Sequence, residues 1–168
     1  MSAQASPETT REALLTPVEA ARDGIHRAEA AIAAGDWYGA IGPTLVAYNI
    51  SQRRFLASEA ADWIDGVRRE LDDIQVRALA CTARRSLGLR EPELAVAEQT
   101  ARRLIELAPY RESGYAVLME ALERQGNLAE ALRVYESLRG LLRDELGAAP
   151  SPAVQQMHQR VLNQGSVS

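Results

Sequence analysis

The chain has 168 residues, 46% of them hydrophobic and 25% charged, with a formal net charge of −4. That length suits one domain with a real core, and the acidic balance excludes a general attraction to nucleic acid or anionic lipid. A single cysteine, Cys81, rules out an internal disulfide and fits a reducing cytoplasm, and neither a secretion signal nor an apolar run of membrane-spanning length is present.

Residues 1–15 read as a flexible leader, polar and without sustained periodicity. Order is expected from Thr16, which can cap a helix with Pro17 in its first turn and Glu19 completing a capping box. That helix should run to about Ala34 and stop at Gly35. Its partner is expected to start with Asp36 as N-cap and to be disturbed at Gly42-Pro43, where proline removes a backbone donor. Residues 49–64 read as an irregular insertion, a loop with short turns around Ser51 to Asp62, and Trp63 as a core residue opening the next helix.

The central helix carries the clearest pattern. Val67, Leu71, Ile74, Ala78 and Cys81 recur at steps of four and three, forming one apolar stripe. Leu94, Ala97, Ala101, Leu104 and Ala108 repeat it, and so do Leu128, Ala131, Tyr135, Leu138 and Leu142. Tyr115, Leu118 and Leu122 supply the facing helix of the last hairpin, with Asn127 and Glu130 expected as a cap pair at its second helix. Gly147 ends that helix. Ser151-Pro152 opens a final one carrying Val154, Met157 and Val161, which should cover the open end of the stack, and residues 165–168 form a tail.

An internal repeat links these segments. Stepping back from Ala131 by the 34-residue period of tetratricopeptide repeats lands on Ala97, and Ala97-x3-Ala101-x2-Leu104 matches Ala131-x3-Tyr135-x2-Leu138. Ala34-Gly35-Asp36 through Ala40-Ile41 parallels Gln125-Gly126-Asn127 through Ala131-Leu132. The predicted fold is therefore all-α: a tetratricopeptide-like helical-hairpin stack (an α-solenoid) of about three hairpins plus a C-terminal capping helix, over residues 16–164.

No catalytic, cofactor-binding or metal-binding residue is expected. His26 and His158 lack neighbours in ligand spacing, and Cys81 lies on an apolar stripe. Gly88-Leu89-Arg90 reads as a helix end and Gly126 as an interhelical turn. Asp72 and Asp73 are adjacent on a helix and point in different directions. The Arg pairs at 53–54, 68–69, 84–85 and 102–103 are interspersed with Glu70, Asp73, Glu98 and Glu106, as on a solvated face of mixed sign.

Three blocks carry a family resemblance over roughly residues 17–162. The first is Ala33-Ala34-Gly35-Asp36, and the second runs from Trp63-Ile64-Asp65 through Arg69-Glu70-Leu71 to Arg77-Ala78-Leu79. The third is the most specific: Pro109-Tyr110-Arg111-Glu112, Leu118-Met119, Gly126, Glu130-Ala131-Leu132, Tyr135, Leu138-Arg139, then Glu145-Leu146-Gly147 and Pro150-Ser151-Pro152. This succession resembles the bacterial transcriptional activator domain of regulators in the Streptomyces antibiotic regulatory protein family. The resemblance implies an effector and assembly domain of a cytoplasmic transcriptional regulator, which dimerises and contacts RNA polymerase or a regulatory partner. It also implies a winged-helix domain ahead of this module. In this sequence a short polar leader stands there, as in either an excised domain or a stand-alone member, so sequence-specific DNA binding is not carried over to this chain. The alternative readings are a stand-alone tetratricopeptide-type adaptor for a peptide or partner helix and, if the first groove holds a pocket, a small-molecule-sensing domain.

By repeat register, the groove-facing positions of the last hairpin are Ser113, Ala116, Glu120, Glu123 and Arg124. Their acidic bias predicts a partner bearing Arg or Lys, bound in a salt-sensitive way, with both carboxylates serving that partner and not the fold. Towards DNA the expectation is negative. In a mobility-shift titration near physiological salt, the chain alone should bind duplex DNA no better than non-specifically, with Kd at or above ~10⁻⁶ M.

Overall fold

Among residues 7–53 and 62–165, which the computed structural model describes, there are seven α-helices and no strand. They are α1 (Pro7–Ala33), α2 (Ile41–Ser51), α3 (Asp62–Gly88), α4 (Leu94–Leu107), α5 (Glu112–Arg124), α6 (Leu128–Leu146) and α7 (Pro152–Gly165). The all-α hairpin architecture predicted from periodicity is the one found. The chain divides into two compact units, Met1–Cys81 and Thr82–Ser168.

In the first unit, α1 and α2 pack as an antiparallel hairpin. Its turn follows from Gly35, whose φ of +72° lies in the left-handed region that glycine adopts without a Cβ penalty. The Asp36 N–H donates to the Ala31 carbonyl and the Gly35 N–H to the Ile32 carbonyl, at 2.9 and 3.1 Å, which closes a Schellman motif. Asp36 then caps the following turn by accepting from the Gly39 N–H at 2.8 Å. A Cβ at Gly39 would fall on that carboxylate, so the cap itself requires glycine there.

Several expectations for this unit are corrected. The first helix starts at Pro7, well before Thr16, and Pro17 lies inside it. A proline interior to a helix costs one i→i−4 hydrogen bond, and a long helix can absorb that loss. Gly42-Pro43 does not disturb the second helix; it lies in the first turn of α2, where the missing N–H had no intrahelical acceptor to lose. The insertion is shorter than residues 49–64, because α2 runs to Ser51 and α3 starts at Asp62. Its centre, residues 54–61, lies outside the described residues, as do residues 166–168 of the tail.

The stripe on α3 packs as the spacing requires. Val67, Leu71, Ile74, Ala78 and Cys81 share one cluster with Val18, Ala21, Ile25 and Ala28 of α1, and Trp63 packs against its edge. Two ion pairs flank this contact. Arg22 forks onto Glu70 at 2.7 and 3.0 Å, and Arg77 onto Glu29 at 2.7 and 2.6 Å. Both span 48 residues, so a step of two turns along α1 matches the same step along α3, and the two helices run parallel. The Arg77 guanidinium is raised above its ordinary value, chiefly by the hydrogen bond it donates to Glu29, and stays charged throughout.

In the second unit, α4 packs on α5, α5 on α6, and α7 on both α5 and α6. Gly126, with φ +81°, repeats the Gly35 turn bond for bond: the Asn127 N–H reaches the Leu122 carbonyl at 2.8 Å and the Gly126 N–H reaches Glu123 at 3.0 Å. The Asn127–Glu130 cap pair is not formed. Asn127 makes no side-chain cap bond, and the Glu130 carboxylate turns outward to Arg102 of α4 instead. Arg102 also holds Glu98, so one guanidinium ties α4 to α6, and a bridge to a neighbouring helix has displaced a local cap. Within the other described Arg pairs the mixed-sign reading holds for Arg68 on Asp65, Arg85 on Glu93 and Arg103 on Glu106, while Arg54 of the first pair lies outside the described residues.

Ala97, Ala101 and Ala131 are fully buried at the crossings of α4, α5 and α6. A Cβ placed on Gly114 of α5 would stand 3.1 Å from the Ile105 side chain of α4, which shows how closely these helices approach. Extra methylenes there force the helices apart, and overpacking of this kind typically costs ~1–3 kcal/mol. Ala131→Leu should therefore lower the chemical-denaturation midpoint clearly. Ala129→Leu, on the exposed side of the same helix, should leave it nearly unchanged.

Candidate partner-binding surface

The five predicted groove positions all lie on α5 or at its end, but they are not equally available. Ser113, Ala116, Glu120 and Glu123 are half-buried and Arg124 is exposed. Ala116 packs against the cluster formed by Tyr115, Met119, Tyr135, Leu138, Leu142 and Val154. Glu120 accepts from Arg124 one turn later, while a second nitrogen of Arg124 donates to the Leu87 carbonyl at 2.9 Å. That second bond ties the end of α5 to the last turn of α3.

Glu123 is the most committed of the five. Arg160 of α7 donates to its carboxylate from Nε and Nη2 at 2.9 and 2.6 Å, and Gln164 adds a bond of 2.7 Å. Its side chain is only 8% exposed although its partner Arg160 is 52% exposed. The Glu123 carboxylate therefore also seats α7, so a change there touches the fold as well as any partner. The spacing of Val154, Met157 and Val161 marks α7 as a cap, and these residues do face inward: both valines are buried and Met157 packs at the edge. That spacing carries no sign that the same helix brings a cation to the acidic face of α5. Burying two valines favours docking by roughly 1.5–3 kcal/mol each.

Two further contacts hold α7. The Ser151 N–H donates to Glu112 at 2.9 Å, so the Arg-Glu at the start of the third sequence block meets the Pro-Ser-Pro at its end across 39 residues. His158 stacks on Tyr135 of α6 with ring centroids 3.8 Å apart and planes 8° from parallel. Beside this stack lies an open depression of about 570 Å³, bordered by Gln155, Gln159 and Asn163 among others. A second, of about 290 Å³, is lined by Arg102, Ile105, Tyr115 and Val134, and burial raises the Tyr115 hydroxyl above its ordinary range. Cys81 is buried, His26 is exposed, and among the described residues no three His, Cys, Asp or Glu side chains are grouped to hold a metal ion.

A different surface lacked a signal in helical periodicity. α2 is the only helix among the described residues with no charged side chain. Thr44, Ala47 and Ser51 are buried on one side, where α2 lies so close to Gly24 of α1 that a Cβ added to that glycine would stand 3.0 Å from the Pro43 carbonyl oxygen. The hydroxyls of Thr44 and Ser51 are bonded to the helix's own carbonyls, Ala40 at 2.6 Å and Tyr48 at 2.9 Å. The other side exposes Tyr38, just ahead of the helix, by 70%, Leu45 by 53%, Val46 by 41% and Ile41 by 36%. The available clue was composition: eleven residues with no charge make a helix whose outer side is as apolar as its inner one.

Electrostatics assign Glu123 a role in stability. Its carboxyl is held below the ordinary glutamate range, first by the hydrogen bond from Arg160 and against the opposing effect of burial. A depressed carboxyl contributes stability above its unfolded pKa and loses it as pH falls through the folded one. Glu123→Gln should cost about 1 kcal/mol at neutral pH, an amount moderated by the solvent-exposed arginine. The gap from wild type should close as pH drops below about 4, as measured by denaturation at stepped pH.

Comparison with known proteins places this geometry. The family described as the bacterial transcriptional activator domain matches residues 18–162. The chain is 34% identical over 142 residues to the regulatory protein AfsR of Streptomyces griseus, an alignment that covers 84% of the chain and 14% of that protein. It is 50% identical over 68 residues to the regulatory protein AfsR of Streptomyces coelicolor, covering 40% of the chain and 7% of that protein. The chain thus spans a small part of the length of the curated relatives it matches. No solved structure matches it significantly.

Proposed function

We propose, because the chain belongs to the bacterial transcriptional activator domain family, that it is the effector and assembly module of a cytoplasmic transcriptional regulator. In this reading it works by protein contact and not by catalysis. It joins a second copy of the regulator and touches RNA polymerase or another regulatory protein. The relatives it resembles are named regulatory proteins, which supports the regulatory part of the reading.

The observation that carries the assembly part is the outer side of α2. That side carries Ile41, Leu45 and Val46 exposed beside Asn49 and no charge, and clustered exposed apolar side chains mark contact surfaces more often than those scattered singly. Two copies carrying a net charge of −4 repel each other in general, and an uncharged helix is where they meet at the least cost. In a two-fold interface each residue faces the same patch on the other copy, so the absence of charge on α2 avoids placing like charges together. Four side chains fall short of the ~800 Å² per partner of a standard interface, so the pairing is expected to be weak and concentration-dependent.

Sedimentation velocity over a range of concentrations checks this. The wild-type chain should move from 18.4 kDa towards twice that mass. Leu45→Glu, at a position already half exposed, should stay monomeric while keeping its helical spectrum and melting temperature. A wild type that remains monomeric at high concentration contradicts assembly through this chain. A variant that dimerises like wild type moves the interface away from α2.

A further inference from the structure

The face of α5 that its repeat register assigns to a ligand already has an occupant, a helix of the same chain. Proteins that bind helices in grooves use an apolar stripe at spacings of three and four, with a few charged anchors beside it. α7 has that form. Val154, Met157 and Val161 fall at i, i+3 and i+7, and the one cation of the helix, Arg160, stands beside the last of them. Val161 enters the cluster of Val117, Leu118 and Leu122, and Val154 the cluster of Tyr115 and Met119, so the apolar stripe of α7 lies along α5.

Three features make this occupant exchangeable. Its buried footing is small: two valines, a partly buried methionine and the His158 ring stacked on Tyr135 of α6. Its principal anchor, the Arg160 fork onto Glu123, has the arginine half exposed, where water and other cations can compete. Its connection to α6 runs through Gly147, which has φ +62°, and then Ala148, Ala149 and Pro150, a short link without helix, so that release of the arm requires breaking the Ser151–Glu112 bond but no helix. The acidic character of α5 is thus matched by a basic helix that the chain itself supplies.

We propose that the α5 face bearing Ala116, Glu120 and Glu123 is a receptor for a basic amphipathic helix of a protein partner, with α7 as its resident, exchangeable occupant. The partner helix carries apolar residues at i, i+3 and i+7 and an arginine immediately before the last. This rests on the reading of the chain as a protein-contact module, and it names the chemistry recognised at one of its surfaces. When the partner helix binds, its arginine replaces Arg160 on Glu123 and α7 is released into solvent.

The test uses the full chain with a fluorescent synthetic peptide of residues 151–165 as the probe, read by anisotropy. Arg160→Gln in the chain loosens the resident helix and leaves Glu123 held by Gln164 without a cation, so the peptide should bind this variant at least about tenfold more tightly than wild type. The same substitution made in the peptide should weaken its binding to that variant by about tenfold. Glu123→Arg in the chain should abolish binding of the native peptide, and a peptide carrying Arg160→Glu should restore it. Equal affinity for the wild-type and Arg160→Gln chains overturns exchange. Binding indifferent to the charge reversal overturns the recognition chemistry, and absence of binding to every variant overturns the receptor. If Glu123→Arg loses its helical spectrum, Glu123→Gln replaces it, and the native peptide should then bind about tenfold more weakly than to the chain carrying Arg160→Gln. The contest takes place on one chain while assembly is read from mass, so failure of this proposal and failure of the assembly reading give different results.

Discussion

Helices in this protein meet where side chains are smallest, and the positions of all larger groups follow from those meetings. Ala97, Ala101 and Ala131 are fully buried in the second unit, and Gly24 and Gly114 face neighbours that leave little room for even a methyl group. Contacts this close let backbones approach until branched and aromatic residues on either side interdigitate, which is how interiors reach crystal-like density. Tyr115, Leu118, Leu122, Tyr135 and Leu138 then fill the space flanking the alanine contacts. The turns must be equally compact. At Gly35 and Gly126 a left-handed residue reverses the chain at once, with two carbonyls of the ending helix satisfied inside the turn.

Over this packed frame lies a set of long-range ion pairs that orient helices more than they strengthen them. Arg22–Glu70 and Glu29–Arg77 hold α1 and α3 in one parallel register. Arg102 joins Glu98 and Glu130, and the Glu98 carboxyl is held below its ordinary range first by Gln125 and then by Arg102. Partly exposed pairs contribute modestly one by one. Their value lies in selection, since a helix that slipped by a turn would lose two or three of them together. The all-arginine basic complement suits this use, because a planar guanidinium can grip a carboxylate with two parallel bonds.

The membership of the chain in a transcriptional activator family gives these features a functional context. Neither surface singled out by the packing resembles a reaction centre. One is a helix stripped of charge, and the other is an acidic helix face closed by a basic helix. Both suit contact with other protein surfaces, and they differ in kind. The outer side of α2 offers apolar area with no electrostatic direction, whereas α5 offers direction through Glu123 and little free area. On the proposed reading, two such unlike surfaces would keep self-pairing and partner contact apart, because each disfavours the ligand of the other.

Periodicity alone determined the helical class, the stripes on α3, α4 and α6, and the inward valines of α7. Apolar residues must share one face of a helix to be buried, and that demand is written into spacing. The turns at Gly35, Gly126 and Gly147 were legible for a similar reason, since few residues but glycine take a left-handed conformation without strain. The first-turn place of Pro17, the cap at Asn127 and the disturbance at Gly42-Pro43 all follow from local chemistry, and the tertiary structure decided them otherwise. Glu130 leaves its own helix for Arg102, 28 residues away, and Glu123 is taken by Arg160, 37 residues away. A side chain with a flexible stem and one charge can serve a local cap or a distant partner equally well. Which it serves depends on the helices that packing brings alongside, and no spacing along the chain records that.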